Sequence, residues 1–149
     1  MTLSERLTND MKEAMKAKDE IRLGVLRMVK SDLKYKQIEF GHELSEEEVI
    51  AVLSTAAKTR RDSIEEYERG GRNDLRDQEK AELDIIVQYL PEQLSAEELG
   101  RLVDEAIAEA KATAPKDMGA VMKVLMPKVR GRADGKAVNV AVRARLEGK

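Results

Sequence analysis

Apolar residues recur along this chain every three to four positions, and no stretch alternates with period two long enough to build a sheet. The pattern predicts helices throughout. Thr2 and Glu5 have the spacing of a capping box, in which hydroxyl and carboxylate each accept from the other's backbone N–H. They open a first helix through Met11, Met15 and Ala17. After Asp19 a longer helix is expected from Glu20 to about Phe40, with Leu23, Val25, Leu26, Met28, Val29, Leu33 and Ile38 as its stripe and Gly41 as its stop. Ser45 with Glu48 repeats the box. It starts a third helix through Val49, Ile50, Val52, Leu53, Ala56, Ala57, Ile64 and Tyr67, which Gly70-Gly71 ends. Asn73 is expected to cap a fourth, through Leu75, Leu83, Ile86, Val87 and Leu90, closed by Pro91. Helices of twenty or more residues reach roughly 30 Å, so this half is expected to form an extended four-helix hairpin or bundle.

The Pro91-Glu92-Gln93-Leu94 stretch reads as the boundary between domains 1–91 and 92–149. Beyond it, Ser95 and Glu98 form a third capping box, leading a helix with Leu99, Leu102, Val103, Ala106, Ile107 and Ala110 on its stripe. Ala112-Thr113-Ala114-Pro115 breaks it. Met118, Val121, Met122, Leu125, Met126 and Val129 then share one face of the next helix. Gly131 ends that helix, and Asp134 is placed as the cap of a last one carrying Val138, Val142 and Leu146. The expectation is an all-α chain, four helices followed by a small three-helix domain.

Composition narrows the chemistry. With 42% hydrophobic and 38% charged residues, the chain has the makings of helices packed on aliphatic faces under dense surface charge. Aromatics are only 3%, which argues against stacking platforms for bases. The absence of cysteine excludes disulfides, thiolate catalysis and zinc–thiolate sites. No apolar run approaches membrane-spanning length, and Met1 to Glu13 is charged without an apolar signal core. The expectation is a cytoplasmic, monomeric protein with no membrane association and no cofactor.

Charge is split along the chain. From Lys116 to Lys149 nine basic residues face three acidic ones, for +6, whereas the first 115 residues hold 18 basic and 26 acidic residues, for −8. A whole-chain charge of −2 thus conceals a basic tail suited to a polyanion.

Catalytic constellations do not emerge. The single histidine, His42, lies between Gly41 and Glu43 in a turn, away from a serine and its orienting acid. Ser54, Ser63 and Lys58 leave a Ser–Lys arrangement formally open, but none has a Gly-rich elbow beside it. Gly70-Gly71 lacks the strand and the Lys-Thr/Ser of a P-loop. Glu46-Glu47-Glu48 reads as acids offsetting a helix dipole. Glu79 and Glu82 share a helix face and are expected to pair with Arg60 or Arg61 rather than bind metal.

Two clusters remain. Lys58 to Ser63, with Arg69 to Leu75, Glu79 and Glu82, forms a helix end, a glycine turn and a charged return helix. It reads as either a salt-bridged turn or a binding surface. In the second cluster, Lys116-Asp117-Met118-Gly119 precedes Arg130-Gly131-Arg132-Ala133-Asp134-Gly135-Lys136. A glycine inside a helix costs about 1 kcal/mol relative to alanine, so Gly119 suggests close backbone approach by a helix or a ligand. The turn from Arg130 to Lys136, rich in cations before a helix N-terminus, is either structural or a phosphate contact. The basic tail favours contact. The candidate nucleic-acid-binding residues are Lys116, Lys123, Lys128, Arg130, Arg132, Lys136 and Arg143.

These residues resemble a known family. Leu26-Arg27-Met28, Lys58 with Arg61-Asp62-Ser63, Gly71-Arg72-Asn73-Asp74-Leu75, Glu79 and Glu82, and Tyr89-Leu90-Pro91 match the GatB/YqeY family in its free-standing YqeY-like form. The most specific part is Lys116-Asp117-Met118-Gly119 with Gly131-Arg132-Ala133-Asp134-Gly135. The resemblance implies a two-part helical fold related to the tail of the B subunit of tRNA-dependent amidotransferases. That tail helps hold tRNA, while the chemistry belongs to parts this chain lacks. It therefore implies a non-catalytic tRNA- or RNA-binding module or adaptor, with tRNA or tRNA-processing proteins as partners. Two alternatives are an accessory part of a glutamine-dependent carbon–nitrogen ligase acting on aminoacyl-tRNA, and a helical protein-interaction module working through the Glu20–Phe40 or Glu46–Tyr67 stripe.

Overall fold

The structure, a computed structural model, describes residues 1–148 and contains no strand among them. Seven α-helices follow in order: α1 Leu3–Ala17, α2 Glu20–Phe40, α3 Glu46–Arg69, α4 Asn73–Val87, α5 Ala96–Ala110, α6 Met118–Val129 and α7 Gly135–Gly148. A 3-10 turn, Pro115–Asp117, leads into α6. The chain divides into two compact units, Met1–Pro91 and Glu92–Lys149. The all-α expectation holds.

Helix starts follow the sequence signals. The three capping boxes are formed, with Glu5, Glu48 and Glu98 N–H groups donating to Thr2 Oγ1, Ser45 Oγ and Ser95 Oγ at 3.1, 3.2 and 3.1 Å. Each removes an orphan donor from a helix N-terminus. Gly41, with φ +75°, closes α2 in the left-handed conformation glycine reaches without strain. Lys18 and Lys111 close α1 and α5 in the same conformation, at φ 58° and 55°, although neither is glycine. Two boundaries differ from expectation. Asn73 is the first residue of α4 and not its cap; Arg72 precedes it with no side-chain cap bond. And α4 stops at Val87, short of Pro91, because Tyr89 and Leu90 N–H groups turn back to the Ile86 and Val87 carbonyls at 3.0 and 3.1 Å. A residue ahead of proline is pushed out of the helical region, so the chain leaves the helix early.

The first unit buries Leu7 from α1, Val25, Leu26, Val29 and Leu33 from α2, Val49, Leu53, Ala56 and Ala57 from α3, and Ile85 and Ile86 from α4. Fully burying one such leucine stabilises the fold by about 1.5–3 kcal/mol. Tyr89 joins this core. Its hydroxyl donates to Asp10 Oδ2 at 2.6 Å, and the Arg6 guanidinium lies 4.6 Å above its ring. Burial, helped by that hydrogen bond, pushes the phenol up to about 12.

One charged residue is buried with the apolar set. Arg60 is 6% exposed. Its Nη1 donates to the Ala56 carbonyl at 3.2 Å, and its Nη2 lies 3.3 Å from both Glu82 Oε1 and Met28 Sδ. Three helices, α2, α3 and α4, meet on this guanidinium. The expected pairing of Glu82 with an arginine is realised by Arg60. Neighbouring Glu79 is held above the ordinary carboxylate range by desolvation and by Glu82. The second unit has its own core of Leu99, Val103 and Ala106 from α5, Val121, Leu125 and Val129 from α6, and Val138, Val142 and Leu146 from α7.

Arg60→Ala removes the partner of the partly buried Glu82 carboxylate and is expected to destabilise the chain by about 1–3 kcal/mol. Arg60→Met with Glu82→Leu removes both charges and recovers most of that loss; chemical denaturation measures both. The folded-state pKa of Tyr89 lies above the ordinary value of 10.0, so the folded state holds its proton longer than the unfolded one. Stability therefore falls as pH rises from about 10 through about 12, and Tyr89→Phe abolishes that slope while costing about 1.5–3 kcal/mol at neutral pH. Melting temperature against alkaline pH tests it.

Candidate nucleic-acid interface

The proposed contacts lie on α6, α7 and the turns flanking them, and the fold sorts them into two groups. Val121 and Leu125 point α6 into the core. On α6 Lys123 is close to half a turn away from Leu125 and so lies opposite the buried edge; Lys116 stands in the 3-10 turn before the helix and Arg130 just after its end. All three are exposed, and no ion pair engages them among the described residues. Lys136 and Arg143 are seven residues apart on α7 and are exposed too.

The other two candidates have structural partners. Lys128 reaches across to α5, where its Nζ is 3.4 Å from Glu109 Oε2. Arg132 turns inward, and its Nε donates to the Glu92 carbonyl at 3.2 Å. Leu94 N–H donates to the Arg132 carbonyl and Gln93 Nε2 to the Gly131 carbonyl, both at 2.8 Å. The Gly131–Arg132 turn is thus strapped to the segment that begins the unit, which gives Arg132 a fixed structural use.

Asp134, just before α7, has a buried Oδ1 with no hydrogen-bond partner. A carboxylate there opposes a second anion at the α7 N-terminus, so the turn is a poor phosphate cradle. Asp117 is also structural. It accepts the Thr113 and Ala114 N–H groups at 2.9 and 3.2 Å, and the Thr113 bond holds its carboxyl below the usual range. The reading of Gly119 as a site of close approach by a neighbouring helix is corrected: a Cβ built there meets nothing within 4 Å.

Sequence reasoning missed Gly100, the glycine that does mark a close approach. A Cβ there would lie 2.5 Å from Arg145 Nη2, and the bare backbone lets Arg145 cross α5 to Asp104 at 2.6 Å. The signal was absent because the contact joins residues 45 positions apart. Also missed was the acidity of α5. Counted over 92–149 the second unit carries eleven basic and nine acidic residues, only +2, so the basic character belongs to α6 and α7 alone.

The Lys58–Glu82 cluster is laced with ion pairs. Lys58 pairs with Asp62 at 2.8 Å one turn on, Arg72 with Asp74 at 3.3 Å, and Arg60 with Glu82. His42 is exposed in its turn, with Nε2 3.6 Å from Glu48 Oε2. Among the described residues no group of three or more His, Asp or Glu side chains is arranged to hold a metal ion, and no helix is long and apolar enough to cross a membrane.

Residues 4–146 match the family described as Yqey-like protein. The chain belongs to the YqeY-like family. Among curated relatives, a Lachancea thermotolerans protein named "Altered inheritance of mitochondria protein 41, mitochondrial" is 35% identical over 73% of this chain and 60% of its own length. The Saccharomyces cerevisiae protein of the same name is 31% identical over 89% of this chain and 70% of its own. The chain thus spans about 60–70% of the relatives it matches. Their printed names place them in mitochondria, which overturns the expectation of a cytoplasmic protein. Cysteine-free composition and a charged Met1–Glu13 stretch carry no address.

Because Gly119 faces open space, Gly119→Ala is expected to stabilise the YqeY-like chain by about 0.5–1 kcal/mol through helix propensity. Thermal denaturation reads this directly, and a loss of stability would show a neighbour at that face.

Proposed function

We propose that the second unit of this YqeY-like chain docks RNA, tRNA being the class its resemblance to amidotransferase tails favours, through phosphate contacts. The observation that carries this reading is the exposure of Lys116, Lys123 and Arg130, with Lys136 and Arg143 exposed on α7. Residues 92–149 include no aromatic side chain, so stacking has no platform and recognition rests on charge and the shape of folded RNA. The chain acts as a binding module or adaptor in this reading, and it supplies no catalytic group. Lys128 and Arg132, already engaged by Glu109 and the Glu92 carbonyl, contribute least.

With about five phosphates neutralised, log K for tRNA falls against log salt with a slope of roughly −3.5 to −4.5. Replacing Lys116, Lys123 and Arg130 together with Gln flattens that slope by about 2 to 3 and weakens binding at low salt. Lys128→Gln leaves it near the parent value. A filter-binding titration of the full chain from low to moderate salt provides the test, and a triple variant binding as tightly as the parent overturns the reading.

A further inference from the structure

The first unit holds a sulfur in an unusual place. Beyond Leu33, every residue from Lys34 to Glu43 is exposed, so the last turns of α2 form an arm that runs past the core. Between α2 and α3 is a groove of about 720 Å³, with Met28, Tyr35 and Phe40 on one wall and Ala51, Val52 and Ala56 on the other. Met28 is 37% exposed on this groove, whereas Arg60 beside it is 6% exposed.

The chain has seven methionines, and among the described residues Met28 is the one whose sulfur accepts from a guanidinium, Arg60 Nη2 at 3.3 Å. Glu82 Oε1 lies at the same distance from that nitrogen, so its two hydrogens serve two acceptors, while the buried Nε has none. A thioether is a weak acceptor, and the oxygen of a sulfoxide is a polar one. Hydrogen bonds from a charged donor are the strong ones. One oxygen added at Met28 therefore acts directly on the cation that joins α2, α3 and α4. Methionine has three rotatable bonds, and the open groove gives the sulfur room to withdraw as its oxygen turns toward Arg60.

We propose that Met28 is a site of reversible oxidation by peroxide, and that its sulfoxide tightens the clasp between α2 and α3. The sulfur attacks one peroxide oxygen from the groove side, forming the S–O bond as the O–O bond breaks. The departing oxygen takes the proton of the transferred one and leaves as water; sulfur gives up two electrons and peroxide gains them. The new oxygen then accepts from Nη2 in place of the sulfur, and Glu82 keeps its own hydrogen. Reversal takes two thiols, which couple to a disulfide while the oxygen leaves as water. This chain has no cysteine, so a methionine sulfoxide reductase with a dithiol supplies them. The proposed RNA contacts lie between positions 116 and 143, in the other unit, and do not depend on this site.

The test treats the full chain with hydrogen peroxide. Tyr35, Tyr67 and Tyr89, the three tyrosines, all lie in the first unit, so tyrosine fluorescence during chemical denaturation follows that unit. Peptide mass spectrometry is expected to find oxygen on Met28 in the same phase as on Met15, which is 50% exposed. Oxidation elsewhere affects the parent and Met28→Leu alike, so the difference between their shifts reports Met28. Oxidation is expected to raise the parent's folding constant, relative to that control, by about threefold or more. Reductase and dithiol are expected to remove the gain, and Arg60→Met with Glu82→Leu is expected never to show it. A Met28 still unoxidised when Met15 is complete overturns the proposal. So does a parent that gains nothing over Met28→Leu, a gain that the reductase leaves in place, or one that persists without Arg60.

Discussion

The guanidinium of Arg60 is the point on which the first unit is organised. It stands in an otherwise apolar interior and is held by one partner from each of three helices: Met28 of α2, the Ala56 carbonyl of α3 and Glu82 of α4. Leucine and valine faces slide past one another at little cost, and a buried charge does not, because any register other than the native one leaves it without its acid. Burial carries a cost beside the pair: desolvation raises the neighbouring Glu79 carboxyl, and the buried Arg60 Nε has no hydrogen-bond partner. Hydrophobic burial by the surrounding residues supplies the stability, and the ion pair fixes which arrangement of the helices carries it.

The second unit handles charge differently. Its acids sit mainly on α5 and its bases on α6 and α7, and where the two meet they form cross-helix pairs, Lys128 with Glu109 and Arg145 with Asp104. Those pairs tie the three helices together at the expense of cations that composition alone would assign to a ligand. What is left for an outside partner is the exposed set Lys116, Lys123 and Arg130, of which Lys116 has Asp117 beside it. Local neutralisation, more than net charge, decides which part of a basic segment can meet a polyanion.

The arm of α2 shows the same economy in apolar residues. A helix twenty-one residues long outruns the core that stabilises its first half. Its remaining turns hold Tyr35, Ile38 and Phe40 in solvent, with Ile38 69% exposed. Isolated apolar residues on a surface are ordinary, but an aromatic pair lining an open groove is not.

Much of this was legible in the chain. Capping boxes at Thr2, Ser45 and Ser95, the stops at Gly41 and Gly131, and the 3.6-residue stripes are local signals, set by backbone hydrogen bonds within a few residues, so seven helices and their faces followed from sequence. The placement of Lys123 opposite Val121 and Leu125 was also present there, since one helix fixes it. Tertiary packing alone decided the rest: that Arg60 and not Arg61 meets Glu82, that Lys128 and Arg132 have structural partners, that Gly100 and not Gly119 lies against a neighbour, and that α2 and α3 diverge into a groove. Each of these depends on the distance between residues remote in sequence, which helical periodicity does not encode.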